Sequence, residues 1–231
     1  MEFDVPVLVL AFNRPEHTRR TLEQIRLARP ARLYVHCDGP RANRPGESAL
    51  VEAVRRVVTE TADWPCDVQT LYRPQNVGIR AGIFDAINWF FKNEVYGMIV
   101  EDDCLPDPSA FRFCGEMLRK YEDDPHMMHV SCSNWAYQST IHYQESYVFS
   151  QFPIVSGWGT WRRAWEQMTI DLDGMDEFVK SKKINRILTN PMSREYLLDK
   201  FWITFRKENT SWAYAWFYSI LKNDGYCIFS K

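Results

Sequence analysis

An α/β architecture built on a mostly parallel sheet is predicted by three features of the first half of the chain. Short apolar runs rich in Val, Leu and Ile alternate with longer stretches whose apolar residues recur at helical spacing. The runs are nearly continuous in hydrophobicity, the pattern of strands covered on both faces. Three of them also stop abruptly at polar groups, namely Asn13-Arg14-Pro15, Asp38-Gly39-Pro40 and Glu101-Asp102-Asp103.

Val5 to Phe12 reads as the first strand, and Asn13 as a helix cap, with Pro15 in the first turn and Glu16 at capping-box spacing. The helix that follows buries Thr18, Leu22 and Ile25. Arg32 to Cys37 forms a second strand, then a helix with a stripe of Leu50, Val54, Val57 and Val58. Val68 to Tyr72 is a third strand, and Asn76-Val77-Gly78 leads into a helix directing Ile79, Ile83, Ile87, Phe90 and Phe91 inward. The fourth strand ends in the acids Glu101 to Asp103, and Pro106 and Pro108 forbid its continuation. In such sheets ligands bind beyond the carboxyl ends of the strands, so Asn13-Arg14, Asp38 and the acidic triplet are expected on one rim. Taken singly, Asn13 reads equally as a cap and Asp38-Gly39-Pro40 as a turn, whereas a solvated loop is the less favoured reading of the triplet because it directly ends a buried strand.

Composition narrows the function classes. With 231 residues the chain suits one large α/β domain or two small ones, and its net charge of −2 gives no case for nucleic acid or an anionic membrane as the main partner. Six cysteines without a C-x-x-C pair argue against a zinc site and a disulfide framework. No apolar run nears the ~20 residues of a membrane span, and no signal-peptide pattern opens the chain. A cytoplasmic protein is expected, with peripheral association at a membrane left open. Three adjacent carboxylates repel one another unless a cation or donors sit among them, and carboxylates without His or Cys partners select Mg²⁺ or Mn²⁺. Neither G-x-x-x-x-G-K-[ST] nor G-x-G-x-x-G occurs. The reading is a nucleoside diphosphate held through its metal and its base.

Phe12-Asn13-Arg14-Pro15, Cys37-Asp38-Gly39, Asn76-Val77-Gly78 and Glu101-Asp102-Asp103 resemble a nucleotide-sugar glycosyltransferase of the Rossmann-like GT-A fold, with the triplet matching its Asp-x-Asp-type metal motif. The chain is similar, more narrowly, to the N-acetylglucosaminyltransferase I family and its bacterial relatives, over about Val5 to Trp165. The resemblance implies one domain over 1–231, with a nucleotide-sugar half (1–108) and a smaller acceptor-side half (109–231). It implies Asp103 as metal ligand, with Glu101 and Asp102 toward the ribose and the metal's water shell. Asp38 would accept from the base, for which uracil N3–H is a suitable donor. Arg14 would lie near base or diphosphate, Arg80 would reach the diphosphate from the third helix, and Phe12 and Asn13 would complete the nucleotide site. A UDP-sugar donor and a glycan or other hydroxyl acceptor follow, with a product in bacterial surface-polysaccharide assembly.

The second half is expected to supply a helix stripe of Phe111, Cys114, Leu118 and Tyr121, then strands at His129 to Cys132 and Tyr147 to Phe149. His126, His129 and His142 lack metal-site spacing. Ser156-Gly157-Trp158-Gly159 reads as a turn opening a helix, with Gly157 and Trp158 offered to an acceptor sugar and Trp161 and Trp165 in the core. An inverting transfer needs a carboxylate to deprotonate the acceptor. The resemblance puts Asp176 nearest that role, with Glu177 and Asp173 as rivals and a solvated acidic loop as the plain alternative. Bacterial relatives carry an Asp after a Trp where this chain has Trp212-Ala213, which keeps open a nucleotide-binding module without a base. A sugar nucleotidyltransferase is the other alternative, although Val5 to Pro15 lacks the glycine-rich phosphate loop it needs. The chain ends two residues after a strand at Tyr226 to Phe229, as a piece of a longer protein would.

Overall fold

Alternation of strand and helix is realised through the whole first half. A computed structural model describes residues 3–135, 138, 142 and 144–231. It contains β1 (Val7–Ala11), α1 (Pro15–Ala28), β2 (Arg32–Cys37), α2 (Glu47–Thr61), β3 (Asp67–Tyr72), α3 (Ile79–Asn93) and β4 (Tyr96–Glu101). The order continues with α4 (Pro108–Lys120), β5 (Met127–Ser131), β6 (Tyr147–Ser150), β7 (Trp158–Trp161), α5 (Arg162–Trp165), α6 (Met175–Lys180), α7 (Ile184–Ile187), α8 (Pro191–Phe205), α9 (Ala213–Lys222) and β8 (Tyr226–Ser230).

All described strands form a single sheet in the order β3-β2-β1-β4-β7-β5-β8-β6. β3, β2, β1 and β4 pair in parallel. β7 then runs antiparallel between β4 and β5, β8 lies parallel to β5, and β6 closes the edge antiparallel to β8. The result is a mixed sheet, mostly parallel, flanked by helices. Every residue of β1 is buried, as its unbroken apolar run requires. β3 is the edge strand and correspondingly half-exposed.

The main core runs along the sheet from Val7 and Leu33 through Met98 and Ile99 to Trp158 and Ile228. A second cluster, with Phe178, Phe201 and Tyr218 at its centre, lies under α6 to α9. Among the described residues no helix is long and apolar enough to cross a membrane.

Several local expectations are corrected. Arg14 rather than Asn13 precedes α1, and no side chain caps that helix. Pro15 does occupy the first turn, where its missing N–H costs nothing. Val51, not Leu50, joins Val54, Val57 and Val58 on the buried face of α2; Leu50 is 44% exposed. Ile79 at the start of α3 also faces out. The largest difference lies at Trp158–Trp161, which is a strand and not the start of a helix. Aromatic and β-branched residues fit a pleated, fully covered position, and all four are buried between β4 and β5. A Cβ on Gly159 would stand 2.5 Å from Cys114 Sγ, so its glycine permits α4 to pack against β7.

Candidate functional site

The carboxyl ends of β1, β2 and β4 surround a cavity of about 480 Å³ lined by Phe12, Asn13, Arg14, His36, Asp38, Glu101 and Asp102, among others. The convergence of these groups on one rim is therefore observed. Parallel register produces it. Ala11 stands opposite Cys37 and Leu10 opposite Glu101, so each strand delivers its next residues to the same edge.

Asp38 is buried and organises two loops. It accepts from Gly39 N–H at 2.8 Å, Val77 N–H at 3.1 Å and Asn76 Nδ2 at 2.9 Å. Most acceptor capacity of the carboxylate is thus used within the protein, leaving little for a base. The loops approach so closely that a Cβ on Gly39 would lie 2.4 Å from the Gln75 backbone. Glu47 ties the neighbouring loop in the same way, accepting from Asn13 Nδ2 at 3.0 Å and Arg41 N–H at 2.7 Å. The Arg41 guanidinium adds an ion pair that lowers the Glu47 pKa to about 2, and it lies over the Phe12 ring at 5.4 Å.

At the end of β4, the Arg14 guanidinium donates to Asp102 Oδ1 and, at 3.1 Å, to Asp103 Oδ2. Thr21 Oγ1 holds the strand end by donating to the carbonyls of Asp102 at 3.0 Å and Cys104 at 2.8 Å. Burial raises the pKa of Asp102, against the pull of Arg14. Burial, followed by repulsion from Asp103 and Asp102, lifts Glu101 to about 7. Two buried polar atoms at this cavity have no partner among the described residues: Asp102 Oδ2 and His36 Nε2. His36 is held neutral by burial and by Arg73, its pKa lowered to about 4.

Asp103 turns the other way. It lines a second cavity of about 730 Å³ together with Asp107, Cys132, Ser133, Ser156 and Gly157. Gly157, at φ +65°, makes the turn into β7, and Ser133 Oγ donates to the Ser156 carbonyl at 2.8 Å. The acidic triplet thus stands between two cavities, with Arg14 joining its two sides.

Other expected residues lie elsewhere. Arg80 points away from the rim and fastens α3 to the second half, donating to the carbonyls of Ile170 and Thr204 and pairing with Asp171 at 3.2 Å. Trp158 has no exposed surface. Its ring stacks on His129 at 4.9 Å and Trp212 at 5.8 Å, so it offers no face to a sugar. Asp176 and Glu177 sit exposed in the first turn of α6, and Glu177 borders a separate groove with Lys183, Arg186 and Lys222. The structure does not bring the expected base to the triplet. Trp161 and Trp165 are core residues, as read.

Sequence reading missed His36, because a histidine inside Arg32–Cys37 was absorbed into an apolar strand. The available signal was a lone polar side chain next to the last residue of a buried strand. Glu47 carried no comparable signal, since its partners lie 34 and 6 residues away.

A divalent cation fits the donor chemistry here. Asp102 Oδ2 is unpartnered, and the Asp103 side chain is half-exposed toward the second cavity. Among the described residues no three His, Cys, Asp or Glu side chains gather as a ligand set. Compared with known proteins, the chain matches no protein-family model and no curated protein sequence.

Proposed function

We propose that the chain is a metal-dependent glycosyltransferase of the GT-A type. It moves a sugar from a nucleoside diphosphate, UDP for preference, to a hydroxyl acceptor with inversion. The observation that carries this reading is the pair of buried, unpartnered atoms, His36 Nε2 and Asp102 Oδ2, in one cavity at the strand ends. A buried polar atom left alone costs about 1–3 kcal/mol, and a ligand that pairs with both recovers it.

The nucleoside occupies the cavity between Asp38 and Glu101, with His36 against its base. Asp103, assisted by Asp102, would hold Mg²⁺ or Mn²⁺, which when bound neutralises charge on the departing diphosphate. Arg14 supplies a second positive group to the same phosphates, since its guanidinium already lies between Asp102 and Asp103. The transferred sugar extends past Asp103 into the cavity of Ser133 and Gly157.

One observation favours a second reading. No Asp or Glu after residue 108 lines either cavity among the described residues, so a nucleotide-binding module without a base fits equally at that point. Incubation with Mn²⁺ and a panel of nucleotide sugars, with release of diphosphate as readout, separates the two. Glycosyltransfer predicts turnover of at least one donor, and UDP at a hundredfold excess over its Kd should stabilise the fold by about 2.7 kcal/mol. Stabilisation without turnover selects the binding module. Absence of stabilisation by every nucleoside diphosphate refutes both, and unchanged UDP affinity in Asp103→Ala removes the metal role.

A further inference from the structure

A third cavity, of about 630 Å³, opens between the segment before β7 and helices α8 and α9. Among the described residues its lining contains no charged side chain. Phe152, Tyr196, Tyr214 and Phe217 supply aromatic walls, and Met192 stands at its rim. Met192 is 76% and Tyr196 58% exposed. These two lie four residues apart on one face of α8, while Leu197, which also lines the cavity, and Phe201 belong to the second core cluster. Trp135 across the opening is 79% exposed. Apolar side chains gathered this densely around an open cavity mark a binding surface rather than chance exposure.

Two facts decide what it binds. The hydroxyls of a bare glycan need a dense set of hydrogen-bonding partners, and among the described residues the side chains of this lining offer only serine and tyrosine hydroxyls and the Trp135 indole N–H. Second, Ser156 lines both this cavity and the one containing Asp103 and Gly157. An occupant can therefore lie in the apolar space with its polar end directed toward Asp103. Methionine beside aromatic rings suits a flexible hydrocarbon, because the thioether adapts its shape.

We propose that this cavity binds the hydrocarbon portion of an amphiphilic hydroxyl compound, such as an alkyl or acyl chain carrying the hydroxyl group at its polar end. That the bound compound is the acceptor rests on the glycosyltransferase reading; that the cavity takes a hydrocarbon chain does not. The chain lies along Met192, Tyr196 and Phe217, and the polar end emerges beside Ser156.

The test is binding of methyl, hexyl, octyl and decyl β-glucosides, each below its micelle concentration, followed by tryptophan fluorescence and calorimetry. Affinity should rise about fourfold with each methylene buried. Met192→Glu and Tyr196→Glu, both at exposed positions, should flatten the series while leaving the melting temperature and UDP binding unchanged. Asp103→Ala should leave the series intact, so failure of the metal assignment would show separately as UDP binding unchanged in that variant. A parallel flotation assay uses phosphatidylcholine vesicles with and without a diacyl glucoside. Binding only to free alkyl glucosides identifies a soluble aglycone as the source, and binding also to the doped vesicles identifies a membrane lipid. Equal affinity for methyl and octyl glucoside, or a chain-length series unchanged in both variants, overturns the proposal.

Discussion

Replacing Glu101 with Gln should remove that residue's share of the pH dependence of stability contributed by the acidic triplet. Glu101 is partly buried beside Asp102 and Asp103, and its pKa stands near 7 because burial and then the neighbouring carboxylates disfavour its charge. A carboxylate raised from an ordinary value near 4.5 to about 7 contributes stability that is fully present below the lower value and lost as pH rises through the upper one. The loss amounts to about 3 kcal/mol. His36 opposes it, because its pKa, lowered to about 4, makes the native state gain stability as pH rises from 4 toward 6.5. Buried His129, lowered to about 3, adds a gain of the same sign as His36, so the wild-type profile does not isolate Glu101 and the informative quantity is the difference between variant and wild type. Urea unfolding followed by fluorescence should give Glu101→Gln the same midpoint as wild type near pH 4.5 and a midpoint higher by roughly 1 M at pH 8, for a urea slope of ~2–3 kcal/mol/M. Mn²⁺ with UDP should shrink that advantage, since a nearby cation favours the ionised carboxylate. A midpoint difference that stays constant from pH 4.5 to 8 would falsify the electrostatic account of the triplet.

Trp158→Ala should cost about 3–5 kcal/mol in urea unfolding, as expected for a fully buried ring, whereas Trp158→Phe should cost less because it also deletes an indole N–H that has no partner. Equal loss in both variants would argue against that difference. Arg80→Ala should remove a tether between α3 and the segment at Ile170 and lower stability by about 1–3 kcal/mol, with hydrogen exchange accelerated first at the C-terminal end of α8 near Thr204. Uniform acceleration along the chain would instead make Arg80 an ordinary contributor to global stability. His36→Phe should keep the β2 strand and weaken nucleoside diphosphate binding at least tenfold by calorimetry; unaltered affinity would remove His36 from the site.

The first half of this protein is legible because its information is local. An apolar run such as Val7–Ala11 specifies burial on both faces, and the polar residue that ends it fixes which side chain reaches the rim. Parallel pairing then brings Arg14, Asp38 and Glu101 together without any long-range information in the sequence beyond strand order. The same locality explains the errors. Asn13 has the chemistry of a cap, yet its amide is claimed by Glu47, 34 residues away, and no local pattern encodes that bond. Arg80 has the charge for a phosphate, yet carbonyls at Ile170 and Thr204 take its guanidinium.

Trp158 shows the limit most sharply. Its neighbours Gly157 and Gly159 make the segment look like an exposed turn, and Trp161, Trp165 and Met168 continue at helical spacing. What decides the matter is the gap between β4 and β5, which only a strand can fill with satisfied backbone groups on both edges. Once β7 is there, Trp158 must project into the space shared with His129 and Trp212. His129 can accept that burial because its Nε2 lies 3.0 Å from the Ile154 carbonyl and Trp216 Nε1 donates to its Nδ1 at 3.2 Å, so the neutral ring leaves neither nitrogen unpaired. A residue chosen as a sugar platform for its aromatic face is thus consumed by the core. Exposed aromatic surface lies instead one cavity further on, at Trp135, Phe152 and Tyr196.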